Sequence, residues 1–195
     1  MPWADVPAFM HELDERDAVS AQLLAFQIHT ATRPGEARGA RWPEIDLEAR
    51  VWTIPGDRMK ANEEHRVPLS DEAMKVLEAM QGLGQDLVFP AAKRGKDGAE
   101  KECSDGAVRA LMKRMDREDV TAHGFRSSFR SWAQERRHEA HEVLEMCLAH
   151  RTGNAVSQAY ARSDLLDQRR PVMEAWGRFL SDEGMKIVPL HGGGA

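Results

Sequence analysis

Six residues in this sequence have the types and the spacing to act together on a negatively charged group. His123 and Arg126 stand three apart in T-A-H-G-F-R-S-S-F-R-S-W, which on a helix puts them on one face. Phe125, Phe129 and Trp132 follow helical spacing and mark the face that turns to the core. His123, Arg126 and Arg130 then form a separate stripe, basic and rich in hydrogen-bond donors, which suits an anion. Downstream, His150 closes the apolar run V-L-E-M-C-L-A-H, and Gly153-Asn154 breaks it. Tyr160, the only tyrosine of the chain, follows ten residues after His150. Upstream, T-R-P-G-E places Arg33 at a helix entrance, where anions are favoured, with Glu36 one turn on. Lys60 lies with Arg58 in a long polar turn, from which its ammonium can swing into a site and donate a proton. Each has a plainer alternative when taken alone. Arg33 can be a surface residue paired with Glu36, Lys60 a solvated lysine, and Tyr160 a half-buried structural residue.

The order and intervals of these pieces carry more than any one of them. H-x-x-R, then L-x-H-x-x-G, then Tyr160, preceded by T-R-P-G-E and by Lys60 in D-R-M-K-A-N-E-E-H-R-V-P-L, resemble the catalytic domain of tyrosine recombinases, the phage integrases. The likeness is to integrases of temperate phages and genomic islands, and it runs from about Ala21 to about Leu180. It implies an α+β, mainly helical fold with a small three-stranded antiparallel sheet beside a helical bundle. It also implies site-specific DNA recombination through a covalent 3′-phosphotyrosine. Tyr160 would be the nucleophile, with Arg33, Arg126 and His150 on the phosphate, His123 as proton acceptor and Lys60 as acid for the leaving 5′ oxygen. Glu36 would support Arg33, while Arg58, Arg130, Arg136 and Arg137 would contact DNA. Two guanidiniums take over the charge that metals carry elsewhere, so neither metal nor cofactor is expected. The expected partners are double-stranded DNA and other integrase protomers, reached through the C-terminal helix.

Elements that can position such a site are legible in the pattern. Asp5–Glu15 reads as a helix with Val6, Phe9, Met10 and Leu13 inward, and Ser20–Ala31 as a second. Pro34 opens a further turn, Pro being tolerated at the first helical position. Trp42–Leu47, Val51–Pro55 and Glu64–Leu69 have strand character. Ser70 caps a helix whose first turn is acidic. Leu87–Pro90 is extended, Ala91–Glu102 a charged surface loop, and Ser104–Met115 a helix. Asn154 can cap a short helix bearing Tyr160. From Pro171 onward, Val172, Met173, Trp176, Phe179 and Leu180 form an apolar stripe that suits either its own domain or a neighbouring protomer. Residues 1–181 are read as one catalytic domain and 182–195 as a flexible tail. Met1 lies only about thirty residues before Arg33, so the upstream DNA-clamping domain of the family is expected to be absent.

Composition sets bounds rather than identity. The chain has 195 residues, enough for one domain with a sizeable core. No apolar run approaches the ~18 residues of a membrane span, and the acidic N-terminus lacks the basic start of a signal peptide. A bacterial cytoplasm is expected. Cys103 and Cys147 do not suggest a disulfide framework. His138 and His141 lie one residue too close for a zinc helix of the H-E-x-x-H kind. The net charge of −5 argues against nucleic acid, where a basic surplus is usual. Other classes therefore stay open: a non-catalytic integrase remnant, a type IB topoisomerase-like nicking and closing activity, and a histidine-based metallohydrolase.

Overall fold

A computed structural model describes residues 1–150 and 163–181. Eight α-helices among them surround a three-stranded antiparallel sheet. α1 (Val6–Asp14) turns Val6, Phe9, Met10 and Leu13 inward. α2 (Val19–Thr30) is apolar around most of its circumference and correspondingly buried on all sides. It packs against α1, against α3 (Pro34–Arg38), and against α4 (Asp71–Met80) and α5 (Asp105–Arg114). Ser70 and Ser104 cap α4 and α5 by accepting from the backbone N–H of Ala73 and Ala107, as their side chains equip them to do. α6 (Gly124–Arg136) and α7 (His141–Cys147) follow.

The sheet runs β1 (Ile45–Asp46), β2 (Val51–Ile54), β3 (His65–Pro68), in that order. Trp52 pairs with Val67 and Ile54 with His65, so one face of the alternating strands delivers all four side chains to the interior. β1 is shorter than the sequence pattern suggests. Trp42–Glu44 forms a 3₁₀ turn instead, because Pro43 brings no N–H to a ladder. The polar turn bearing Lys60 joins β2 to β3.

The last helix, α8 (Leu166–Ser181), begins five residues before Pro171 and carries that proline in its interior. Its apolar stripe lies on its own domain. Val172, Met173, Trp176 and Leu180 are buried, and the Trp176 Nε1–H donates to the Ile28 carbonyl at 2.8 Å. Trp132 and Trp176 lie 4.9 Å apart by ring centroids, with Phe129 and Phe179 against them. This aromatic cluster locks α6 to α8. Among the described residues no helix is long and apolar enough to cross a membrane. The segment with Gly153, Asn154 and Tyr160, and the tail 182–195, lie outside the described residues.

Two buried histidines make the fold sensitive to acid. Burial, with Lys75 nearby, pushes His29 down to about 4. Burial, Arg169 and Arg126 push His65 down to about 3. Both rings are neutral in the folded chain and protonate more readily once unfolded, near pH ~6.5. Their contribution is therefore complete above that pH and is lost as pH falls through the acid range, at up to ~1.4 kcal/mol per pH unit each. Urea denaturation from pH 7 to pH 4.5 should show this decline. The double variant His29→Gln/His65→Gln should flatten it.

Candidate active site

α6 is the scaffold of the site. Its first turn is tied down by the Gly124 N–H donating to Thr121 Oγ1 at 3.1 Å. His123 stands exposed at its N-cap, and Arg126, one turn on, is only 6% exposed. The Arg126 guanidinium donates through Nη1 to the Ala31 carbonyl and through Nη2 to the Leu148 carbonyl, the latter at 2.7 Å. These carbonyls stand just past the C-terminal ends of α2 and α7, where the helix dipole is negative. One buried cation thus draws two chain reversals together. Ala31 and Ala149 both take left-handed backbone, with φ of 52° and 51°. The first reversal leads into Arg33 and the second into His150.

Arg33 is the N-cap of α3. Its backbone N–H and its Nη1 both donate to Glu36, each at 2.7 Å, and Glu36 is buried. This carboxylate therefore fixes both the helix entrance and the guanidinium. Glu36 is held in turn by Arg58, whose Nη2 donates to the Glu36 carbonyl at 2.7 Å, while its Nη1 pairs with Glu44. His150 lies beside Arg126, Nε2 to Nη2 at 3.4 Å, and its Nδ1 donates to Glu145 Oε2 at 2.8 Å. Lys60 is exposed at the tip of the β2–β3 turn and makes no ion pair to the described residues.

The structure therefore gathers Arg33, Glu36, Arg126 and His150, with His123 exposed at the start of α6 and Lys60 exposed on the β2–β3 turn. Tyr160 lies outside the described residues. Burial and the nearby Arg33 guanidinium lower Arg126 to about 10, with Glu36 pulling the other way. Two guanidiniums feel each other here, and among the described residues Glu36 is the single carboxylate bonded to either. Their remaining N–H donors suit an oxyanion.

Of the four arginines that the sequence suggests for DNA contact, three are committed within the chain. Arg58 buttresses α3, Arg130 pairs with Glu145 at 2.9 Å, and Arg137 pairs with Glu139. Arg136 stacks over the Trp3 ring, 5.4 Å from its centroid. Sequence reading counts cations but does not see the acids that fold against them. It also passed over His65 and Glu145. The signals were present: His65 alternates with the inward Val67, and Glu145 is a lone acid inside an apolar run. Among the described residues no group of three or more His, Cys, Asp or Glu side chains could hold a metal ion.

The profile of the phage integrase family matches residues 1–166. The chain is similar to the prophage integrase IntA of Escherichia coli K12, 42% identical over 174 residues that cover 87% of this chain and 41% of that protein. It is also similar to the integrase of Enterobacteria phage P4, 32% identical over 205 residues, covering 96% of this chain and 45% of that one. The chain thus spans less than half the length of these relatives. In fold it resembles XerA recombinase, with a TM-score of 0.56 at 16% identity, covering 84% of this chain and 60% of that one. The XerH site-specific recombinase bound to difH substrate gives the same TM-score, 0.56, at 14% identity, over 83% and 52%.

The left-handed alanine before His150 is a point of strain. An L-residue there costs on the order of 1 kcal/mol relative to glycine. Ala149→Gly should therefore raise stability by roughly 0.5–1 kcal/mol, seen as an increase of about 1–4 °C in melting temperature. An unchanged or lower melting temperature would count against strain at this turn.

Proposed function

This chain belongs to the phage integrase family, and we propose that residues 1–181 form the strand-cleaving domain of a site-specific DNA recombinase, with 182–195 as its tail. The observation that carries the reading is the pair Arg33–Arg126 beside His150, two guanidiniums that share the single carboxylate of Glu36. Glu36 offsets only part of their mutual repulsion, and a phosphodiester brings further negative charge on oxygens that match their forked donors. Such preorganised donors are usually the largest catalytic term.

In the proposed reaction the Tyr160 phenol gives its proton to His123. Its oxygen attacks phosphorus, and the P–O5′ bond breaks as Lys60 protonates the departing 5′ oxygen. The product is a 3′-phosphotyrosine ester and a free 5′-hydroxyl. Charge accumulates on the non-bridging oxygens and is met by Arg33, Arg126 and His150. A 5′-hydroxyl of another strand reverses the step, so the ester stores the bond energy and no nucleotide cofactor is consumed. The two guanidiniums supply the countercharge, so the step requires no metal. The substrate would be duplex DNA in a bacterial cytoplasm, and recombination would join several protomers. Because the apolar stripe of α8 is occupied by its own core, such contacts would not use that stripe.

The test is covalent capture of a nicked suicide duplex, read as a protein–DNA band on a denaturing gel. The wild-type chain should form the adduct with or without EDTA, and Tyr160→Phe should form none. Arg33→Ala should slow capture by about 10²–10³, the usual cost of one preorganised donor. An adduct from the Phe variant would remove Tyr160 from the reaction. Activity lost in EDTA and restored by Mg²⁺ or Zn²⁺ would overturn the metal-free mechanism.

A further inference from the structure

Glu145 is a single acid within the apolar run of α7 and is 5% exposed. A carboxylate is costly to bury unless its oxygens find donors. Here one oxygen has a donor and the other a countercharge. Oε2 accepts from His150 Nδ1 at 2.8 Å, and Oε1 is ion-paired to Arg130, 2.9 Å from its Nε. Residues five apart do not meet on a straight helix. They meet here because Ala149 turns left-handed, and the His150 N–H also donates to the Glu145 carbonyl at 3.0 Å. His150 is thus held at two points, ring and backbone, by one residue.

We propose that Glu145 is a positioning residue that fixes the orientation and tautomer of His150, and that Arg130 holds Glu145 in place for that task. Burial pushes the Glu145 carboxyl up, but the His150 bond and the Arg130 charge outweigh it and bring it below the ordinary range. It remains a carboxylate, which can only accept. Nδ1 must therefore carry the proton, and Nε2 is left facing Arg126 and the phosphate position. When Nε2 also takes a proton, the Glu145 charge balances the imidazolium, and Nε2–H can donate to a phosphate oxygen. Arg130 then acts two steps from the phosphate rather than on DNA. The inference rests on the reading of His150 as a phosphate donor. A purely structural Glu145 would only tie α6 to α7.

Two readouts on the 195-residue chain separate these roles. Long-range ¹H–¹⁵N spectra report the ring nitrogens, His150 being assigned by the signal lost in His150→Asn. The neutral ring should be Nδ1-protonated in the wild type and revert to the ordinary Nε2–H form in Glu145→Ala. A wild-type ring protonated on Nε2 overturns the proposal. The second readout is single-turnover capture of the suicide duplex at saturating protein. Glu145→Ala should slow it about ten- to a hundredfold, as loss of an orienting partner does elsewhere. In a His150→Ala background it should cause no further loss. The same loss in both backgrounds overturns the proposal. Glu145→Gln keeps an acceptor of the same shape and should retain the tautomer with a smaller loss of rate, so it serves if the Ala variant does not fold. Absence of any adduct from the wild type would defeat the proposed function, whereas the spectra decide this inference independently.

Discussion

The Arg126 guanidinium is the constraint on which the site depends. A buried cation is destabilising unless its donors are spent on good acceptors. This one spends them on the carbonyls of Ala31 and Leu148, which carry the negative ends of two helix dipoles. The bonds do more than solvate the charge. They join two chain reversals, distant in sequence, whose next residues deliver Arg33 and His150. Removing the guanidinium would strand two buried carbonyls, at about 1–3 kcal/mol each. Fold and chemistry therefore fail together at this residue, and substitutions at Arg33, which among the described residues bonds locally to Glu36, probe the chemistry more cleanly.

The same residue shows how stability is traded for readiness to bind. Its neighbour Arg33 repels it, and Glu36 offsets only part of the repulsion. Two alanines hold left-handed backbone on either side, where glycine would sit without strain. Such costs persist only where the surrounding packing over-determines the conformation. Here the packing is the fully buried α2 and the aromatic lock between α6 and α8, with Phe129, Trp132 and Trp176 each almost without exposure. A phosphate would relieve the repulsion, and its binding energy would be drawn from strain already present.

Much of this was legible in the sequence because it is local. Ser70 and Ser104 announce helix starts through their own side chains, and Phe125, Phe129 and Trp132 reveal the inward face of α6 by period alone. His123, Arg126 and His150 stand out by interval. What escaped depends on reversals or on tertiary pairing. Glu145 and His150 meet only because Ala149 takes a conformation that its residue type disfavours. Arg58 and Arg130 resemble free cations until Glu44, Glu36 and Glu145 fold against them. Pro171 lies inside α8, since tertiary packing along Val172, Met173 and Trp176 outweighs one missing backbone bond. The stripe's destination could not be read from periodicity, which is the same for a core and for an interface.

The acidic balance of the chain follows the same logic. A net charge of −5 is a sum over the whole surface, whereas a phosphate responds to what lies within a Debye length, about 8 Å at physiological salt. Away from the site, several arginines are paired with acids. Arg38 bonds Glu102 and Asp105, Arg41 bonds Asp86, Arg50 bonds Asp71, and Arg66 bonds Asp164. Each pair is close to neutral from a distance and contributes little field. At the site the balance is reversed, because Arg126 is bonded to carbonyls rather than carboxylates and the Arg33–Arg126 pair shares one Glu36. Lys60, unpaired among the described residues, is exposed on the β2–β3 turn. An anion approaching that position meets concentrated positive charge on an otherwise acidic molecule. The surplus acids then discourage contact with phosphates elsewhere on the surface and favour engagement where the donors converge.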